Sequence, residues 1–247
     1  MESVIYIERD KLNSLIDVEE AVRYLGYGKE KPTPEIMEEL FLCSNRLLAA
    51  MRPRFQYNFG DILQDTKSVK EQPEKILVRF GKKELLLSGK SIQKHLSDCK
   101  AVLGACLTLG EEVDKQITVL QKESILSALL FDALANAAVE RLRFLLEEQA
   151  AHKLKEWQLN WLFGIGYGDL SLTLQKDFLK IMNAEEKIGL SCNEKSVLMP
   201  TKSVTGFIGL KKSEAVFERQ NRVSCGEKGC DLCSQKETCM FSDRKRP

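Results

Sequence analysis

The 247-residue sequence predicts an α+β fold, in which a mixed or antiparallel sheet packs against long helices. Strand-like and helix-like segments are mixed without the strict alternation that is typical of a parallel α/β protein. One helical pattern, over about residues 124–155, is much longer than the others. Hydrophobic residues make up 43% and charged residues 30% of the chain, which is typical of a globular protein with a substantial core.

Two helices are predicted in the first fifty residues. The first covers residues 17–25, because its first turn is acidic and Gly26 follows its last residue. The second should begin at Thr33 and Pro34, a capping residue followed by a proline at the first helical position. Pro53 should end it.

Extended segments and a short helix occupy the middle of the chain. Residues 55–59 alternate apolar and polar side chains, which is the period of a half-buried strand. Further strands are predicted at residues 76–80, 85–87 and 100–109, and the last of these is apolar along its length. A short helix is expected at residues 91–96.

The second half of the chain begins with a helix over residues 111–120 and the long helix over residues 124–155. A glycine-punctuated loop is predicted at residues 160–172, followed by a helix that Thr173 caps and that ends near residue 182. Residues 196–210 read as two strands joined by a bend. We therefore predict three regions: an N-terminal helical and strand region (1–90), a core (91–215) and a cysteine-rich tail (216–247).

Charge and hydropathy exclude two classes of function. Lys and Arg number 37 and Asp and Glu 36, so the formal net charge is +1, whereas an electrostatic nucleic-acid binder has a basic excess. No apolar run approaches the roughly 20 residues that a membrane span needs. The first residues lack the apolar stretch of a secretory signal. We therefore expect no nucleic-acid partner, no membrane partner and a cytoplasmic location.

Four of the eight cysteines lie close together near the C-terminus, with four, two and five residues between them. Such a cluster in a reducing compartment indicates a metal or iron–sulfur site rather than disulfides. Thiolates suit both zinc and an iron–sulfur cluster. Zinc fingers usually pair two short knuckles and this segment has one, which favours iron–sulfur and leaves zinc as the alternative. The predicted ligands are Cys225, Cys230, Cys233 and Cys239.

A glycine–tyrosine loop is the second candidate site. Gly164, Gly166 and Gly168 alternate, but a dinucleotide fingerprint needs two residues between its second and third glycines. These residues nevertheless suit a small-ligand site. The glycines let a ligand approach the backbone closely, Tyr167 offers a ring for stacking, and Asp169 offers an acceptor for ribose hydroxyls. The alternative is an irregular turn without a ligand.

Several segments, in this order and spacing, resemble the activation (AdoMet-binding) domain of cobalamin-dependent methionine synthase. The resemblance is narrower still to its stand-alone bacterial form with a C-terminal four-cysteine tail, and it extends to about residue 210. The segments are Val22–Tyr27, Thr108–Gly110, Asp132-Ala133, Val139-Glu140, Gly166–Leu172, Gln175 and Met199–Gly206.

The resemblance implies that residues 91–215 form the activation-domain core and that the protein is an accessory component of a methyltransferase. It implies reductive reactivation, in which cob(II)alamin returns to methylcobalamin using S-adenosylmethionine (AdoMet) and an electron. The partners would be the cobalamin-carrying methionine synthase subunit and a flavoprotein or ferredoxin-like reductant. The residues expected to contact AdoMet are Gly164, Gly166, Tyr167, Asp169, Glu140 and Lys202.

Two positions depart from the family pattern. Leu162 stands where the family has an arginine for the methionyl carboxylate, and Asn136 stands where it has a carboxylate. Lys202 could supply the missing positive charge. These departures leave a second interpretation open, in which the protein no longer binds AdoMet and serves a corrinoid protein as a docking, assembly or iron–sulfur electron-transfer module.

Overall fold

A computed structural model describes residues 2–27, 30–63 and 75–212. The predicted tail, with its four clustered cysteines, lies outside these ranges. Within them, the long helix, the apolar strand and the antiparallel pairing that the sequence indicated are all found, and the α+β class is confirmed.

One antiparallel sheet forms the centre of the molecule. Six of its seven strands follow the order β4-β3-β2-β5-β9-β6, and the seventh, β1, pairs with β2 alongside β3. A separate two-stranded ribbon joins β7 to β8. The strands are β1 (Glu2–Tyr6), β2 (Arg54–Leu63), β3 (Lys75–Phe80), β4 (Lys83–Ser88), β5 (Ala101–Thr108), β6 (Trp157–Gly164), β7 (Ser191–Cys192), β8 (Leu198–Met199) and β9 (Ser203–Lys212).

Helices cover both faces of this sheet. The longest, α5, begins where the Ser124 hydroxyl accepts a hydrogen bond from the Ser127 N–H at 3.2 Å. No helix in the described ranges is both long enough and apolar enough to cross a membrane. The helices are α1 (Val18–Tyr24), α2 (Pro34–Ala50), α3 (Lys90–Leu96), α4 (Glu111–Glu123), α5 (Ile125–Lys153), α6 (Gln175–Met182) and α7 (Ala184–Ile188), with short 3₁₀ helices at Arg9–Leu15 and Leu172–Leu174.

The core has two parts, one on each face of the sheet. Helices α1, α2, α4 and α5 cover the first face, and α3, α6 and α7 cover the second. Strand β5 runs between the two parts, and every one of its residues is buried. Its alternate side chains point to opposite faces, so Leu103 and Leu107 join the first part while Val102 and Cys106 join the second. Burial on both sides explains why this strand is apolar without alternation.

The structure differs from the prediction in three elements. Strand β1 was not predicted, and it is a five-residue strand that pairs with β2, with Ser3 opposite Tyr57. Residues 160–164, predicted as part of a loop, complete strand β6. The helix expected from Thr173 begins at Gln175, because Ser171 instead caps a short 3₁₀ helix by accepting the Thr173 N–H at 3.3 Å.

Strands from the predicted N-terminal region and the predicted core belong to one sheet. Strand β2 pairs with β5 from Arg54 opposite Thr108 to Asp61 opposite Ala101. The sheet is therefore continuous across residue 90. The division of the chain into three regions stays a prediction.

Candidate functional site

A cleft of about 290 Å³ opens at one end of the sheet, between α1, α5 and the segment that leads into β9. Its volume is at the lower limit of the range of roughly 300–1,000 Å³ that is usual for small-molecule sites. Three of the segments that carry the family resemblance meet here. The lining residues are Tyr24, Asn136, Val139, Glu140, Thr201, Lys202, Ser203 and Val204.

The segment that leads into β9 is held in place by hydrogen bonds from the end of β5 and from α4. The carboxylate of Asp114 accepts the Thr201 N–H and the Thr201 hydroxyl, each at 2.7 Å. The Leu109 N–H donates to the carbonyl of Lys202 at 3.0 Å. Two of the segments that carry the family resemblance, Thr108–Gly110 and Met199–Gly206, are thus joined by a hydrogen bond. The same hydrogen bond fixes the backbone of Lys202.

The Lys202 ammonium group is fixed by two residues of α5. Its Nζ lies 2.7 Å from Oδ1 of Asp132 and donates to Oδ1 of Asn136 at 2.8 Å. The Asn136 amide in turn donates to Asp132 at 3.1 Å. The side chain of Lys202 is 12% exposed. Lys202 therefore places an ordered ammonium group, paired with Asp132, at the wall of the cleft.

Glu140, also on α5, belongs to a chain of ionic contacts that leads to the edge of the sheet. Its carboxylate accepts from Nε of Arg143 at 2.9 Å, and Nη1 of Arg143 donates to Glu147 at 2.6 Å. Glu147 also accepts the backbone N–H of Leu162 at 3.1 Å. Burial by itself would lower the pKa of Arg143, but the two glutamates raise it, so the guanidinium stays charged.

Neither Glu147 nor Arg143 received a role from the sequence. The signal that would have found them is their spacing, because residues three and four apart on a helix face one another. The side chain of Leu162 is buried in the first part of the core. Leu162 contacts the chain of ionic groups only through its backbone N–H, which donates to Glu147.

The glycine–tyrosine loop begins beside the cleft, where the Ile165 N–H donates to the carbonyl of Thr205 at 3.1 Å. Gly166 and Gly168 have φ angles of 88° and 60°, in the region that favours glycine. The Tyr167 ring packs edge-on against Phe163, with centroids 5.4 Å apart, and Tyr167 is 47% exposed. The loop therefore holds Tyr167 at the surface of the protein, partly exposed and packed against Phe163.

Asp169 caps α3. One carboxylate oxygen accepts the Lys90 N–H at 2.7 Å and the other accepts the Ser91 N–H at 3.0 Å. The backbone hydrogen bonds from Ser91 and Lys90 lower the pKa of Asp169. A side chain at Gly89 would come within 2.7 Å of Asp169, so the close approach requires glycine there.

The structure therefore separates the predicted ligand residues into two groups. Glu140 and Lys202 line the cleft together, whereas the four loop residues are not among its lining residues in the described part of the chain. A buried pair, Gln175 and Thr205, lies between the groups, with Nε2 donating to Oγ1 at 2.7 Å. The loop residues are Gly164, Gly166, Tyr167 and Asp169.

The described ranges contain no group of three or more His, Cys, Asp or Glu side chains placed to hold a metal ion. The four cysteines predicted as ligands lie outside these ranges. The other four, Cys43, Cys99, Cys106 and Cys192, are free. Burial raises the pKa of Cys43 and Cys99 to about 11, so both are thiols at neutral pH.

Comparison with solved structures identifies the architecture. No protein-family model and no curated protein matches the sequence. A crystal structure of the MetH reactivation domain bound to AdoHcy is similar to this chain with a TM-score of 0.59 and 13% sequence identity, over 88% of this chain and 80% of that one. The chain therefore has the fold of the MetH reactivation domain.

Proposed function

We propose that this protein reactivates cobalamin-dependent methionine synthase, returning cob(II)alamin to methylcobalamin with AdoMet and one electron. The observation that carries the proposal is the convergence of separate resembling segments on one cleft, in a fold shared with the MetH reactivation domain. Tyr24, Glu140 and Lys202 come from three distant parts of the chain. That solved domain holds AdoHcy, the molecule that AdoMet becomes once its methyl group has left.

The chemistry requires the protein chiefly to position the reactants. The reductant supplies one electron to cob(II)alamin on the partner subunit, and the methyl group passes from the sulfonium of AdoMet to cobalt, which leaves AdoHcy. Holding the methyl group in line with cobalt and excluding water lowers the barrier without a catalytic acid or base. This agrees with a cleft whose charged groups are paired and ordered.

The charges of the cleft suit the amino-acid end of AdoMet. Lys202 would bind the carboxylate and Glu140 the ammonium group, because the two opposite charges face one cleft. The cleft is too small for the whole molecule, so the adenosine would extend to Gly164, Gly166 and Tyr167. Asp169 would accept from the ribose in addition to the backbone N–H groups of α3, since a carboxylate oxygen can accept more than one hydrogen bond.

Isothermal titration with AdoMet and AdoHcy tests this arrangement. We expect saturable binding that Lys202→Gln weakens by about tenfold, the loss of one charge-assisted hydrogen bond. Lys195→Gln is the matched control, because it removes the same charge from an exposed residue that does not line the cleft. Absence of heat at millimolar AdoMet would contradict AdoMet binding. Binding should be followed by anaerobic mixing with the partner, a reductant and AdoMet, with recovery of the methylcobalamin spectrum as the readout.

A second candidate function is docking, assembly or electron transfer for a corrinoid protein without AdoMet. Two observations favour it: Leu162 directs an apolar side chain into the core, and Lys202 already pairs with Asp132 and Asn136. Co-elution with the cobalamin-carrying subunit, together with no heat from AdoMet, would support this function over the first.

The four C-terminal cysteines could serve either of these two functions by holding a metal or cluster. We propose that Cys225, Cys230, Cys233 and Cys239 hold an iron–sulfur cluster that relays the electron, with zinc as the alternative. Protein purified without oxygen should show a broad absorption band near roughly 400 nm. Cys230→Ser should abolish it, and Cys192→Ser, at a half-buried cysteine outside the cluster, should not. A colourless protein containing zinc would remove the electron relay.

A further inference from the structure

A second cleft, of about 380 Å³, lies between the first 3₁₀ helix and the C-terminal end of α2. It is larger than the cleft at Lys202 and falls within the usual range for small-molecule sites. The function proposed above does not use it. Its lining residues are Arg9, Leu12, Asn13, Leu48, Ala49 and Arg52.

Two arginines give this cleft its charge. Arg52 is held in one orientation, because its Nη1 donates to the carbonyls of Ala49 and Met51, each at 2.8 Å. These contacts use one nitrogen of the guanidinium group and leave its other donors for a ligand. The Arg9 side chain has no hydrogen bond or ion pair with any residue of the described ranges. An arginine that pairs with no described residue, beside one that is fixed, is a suitable arrangement for an oxyanion.

No acidic residue lines this cleft within the described part of the chain. The nearest cation on the same 3₁₀ helix, Lys11, already lies 3.7 Å from Glu8, whereas Arg9 lines the cleft. The remaining lining is mostly apolar, with Leu12 7% exposed and Leu48 half-buried. The cleft is thus lined by two positively charged side chains and by apolar side chains.

We propose that this cleft binds a small organic anion, with a carboxylate or phosphate group between Arg9 and Arg52 and an apolar body on Leu12 and Leu48. The Asn13 amide offers a further donor to the anion. Because none of these residues lines the Lys202 cleft, the proposal stands or falls separately from the proposed function.

Titration of the full chain with four small probes tests both the anionic group and the apolar body of the proposed ligand. Hexyl phosphate and hexanoate present the two anions on an apolar body, inorganic phosphate lacks the body, and hexyltrimethylammonium has the opposite charge. We expect saturable, salt-sensitive binding of one or both organic anions, weakened about tenfold or more by Arg9→Gln. Which of the two binds more tightly tells whether the site prefers phosphate or carboxylate.

Lys11→Gln is the matched control, because it removes the same charge two residues away from a side chain that does not line the cleft. Arg52→Lys keeps the charge but loses the planar fork, and it should weaken binding without unfolding the protein. The proposal is overturned if neither organic anion binds, if Arg9→Gln and Lys11→Gln have equal effects, if the ammonium probe binds as tightly, or if inorganic phosphate matches hexyl phosphate.

Discussion

At the residue scale, His95 is a buried titratable side chain on α3, on the second face of the sheet. Its ring packs against Trp161 and Phe163, with centroid distances of 4.7 Å and 5.2 Å. Both ring nitrogens lie near backbone groups of Trp161 and Phe207 without reaching hydrogen-bond geometry. Burial lowers the pKa of His95 from 6.5 to about 4, so the ring is neutral at pH 7.

This burial makes stability depend on pH in a defined direction. Between pH 6.5 and about 4 the unfolded chain binds a proton at His95 and the folded chain does not, so stability falls as the pH is lowered through this window. The loss attributable to His95 is about 3 kcal/mol in full. Urea unfolding at pH 7 and pH 4 should show a smaller pH effect in His95→Phe than in the wild type. His152→Gln, at an exposed position, is the control; equal pH effects in wild type and His95→Phe would contradict the prediction.

A second residue-scale prediction concerns Glu147. Its side chain is 4% exposed and holds both Arg143 and the Leu162 N–H. Removing its charge leaves a buried guanidinium with one partner, so Glu147→Gln should destabilise the fold by about 3 kcal/mol in urea unfolding. Glu123→Gln, which breaks the exposed pair with Arg46, should cost less than about 1 kcal/mol. Similar costs for the two variants would show that the buried chain is not structural.

At the element scale, α3 depends on Asp169 for its N-terminal cap. Asp169→Ala should lower the thermal midpoint, because two N–H groups at the start of α3 lose their acceptors. Asp98→Ala, which removes an exposed ion pair with Lys211, should leave the midpoint nearly unchanged. Asp169→Asn then distinguishes the two roles: a change in AdoMet affinity at an unchanged midpoint indicates a ligand contact, and a lower midpoint at unchanged affinity indicates a cap alone.

Elements with a regular pattern of buried and exposed side chains could be predicted from the sequence. Elements that depend on contacts with residues far along the chain could not. Strand β5 was found because continuous burial demands continuous apolarity, and α5 because its pattern is long. Residues 160–164 of strand β6 were predicted as part of the glycine-punctuated loop, but the Asn160 amide ties this segment to α3 by donating to the carbonyl of His95 at 2.9 Å. The partner of Asn160 is 65 residues away, so the pattern of neighbouring residues does not predict this hydrogen bond.

The same limit applies to the candidate site. Resemblance identified Glu140 and Lys202 as separate residues, and the cleft brings them together. The contacts that build the cleft join Lys202 to Asn136 across 66 positions and Thr201 to Asp114 across 87. Such pairings follow from the order of strands β5 and β9 in the sheet, which residue spacing alone does not determine.

At the scale of the whole molecule, the described ranges contain a hydrophobic core on each face of the sheet. A variant with serine at Cys225, Cys230, Cys233 and Cys239 should therefore keep its far-ultraviolet circular dichroism and its cooperative thermal transition, while it loses any bound metal or cluster. A variant with serine at the buried Cys106 is the comparison, and we expect it to be less stable, because a polar hydroxyl then replaces a thiol in the core. A loss of the cooperative transition in the first variant would contradict the prediction.

Strand β6 is the last strand of the sheet, and its pairing with β9 is irregular between Leu159 and Leu162. A regular edge strand has unpaired N–H and C=O groups, with which a strand of another molecule can pair and so extend the sheet. Here the Leu162 N–H already donates to Glu147, and the irregular register interrupts the regular pairing pattern of the strand. The ion chain that reaches the cleft at Glu140 thus also satisfies a backbone donor of this edge strand.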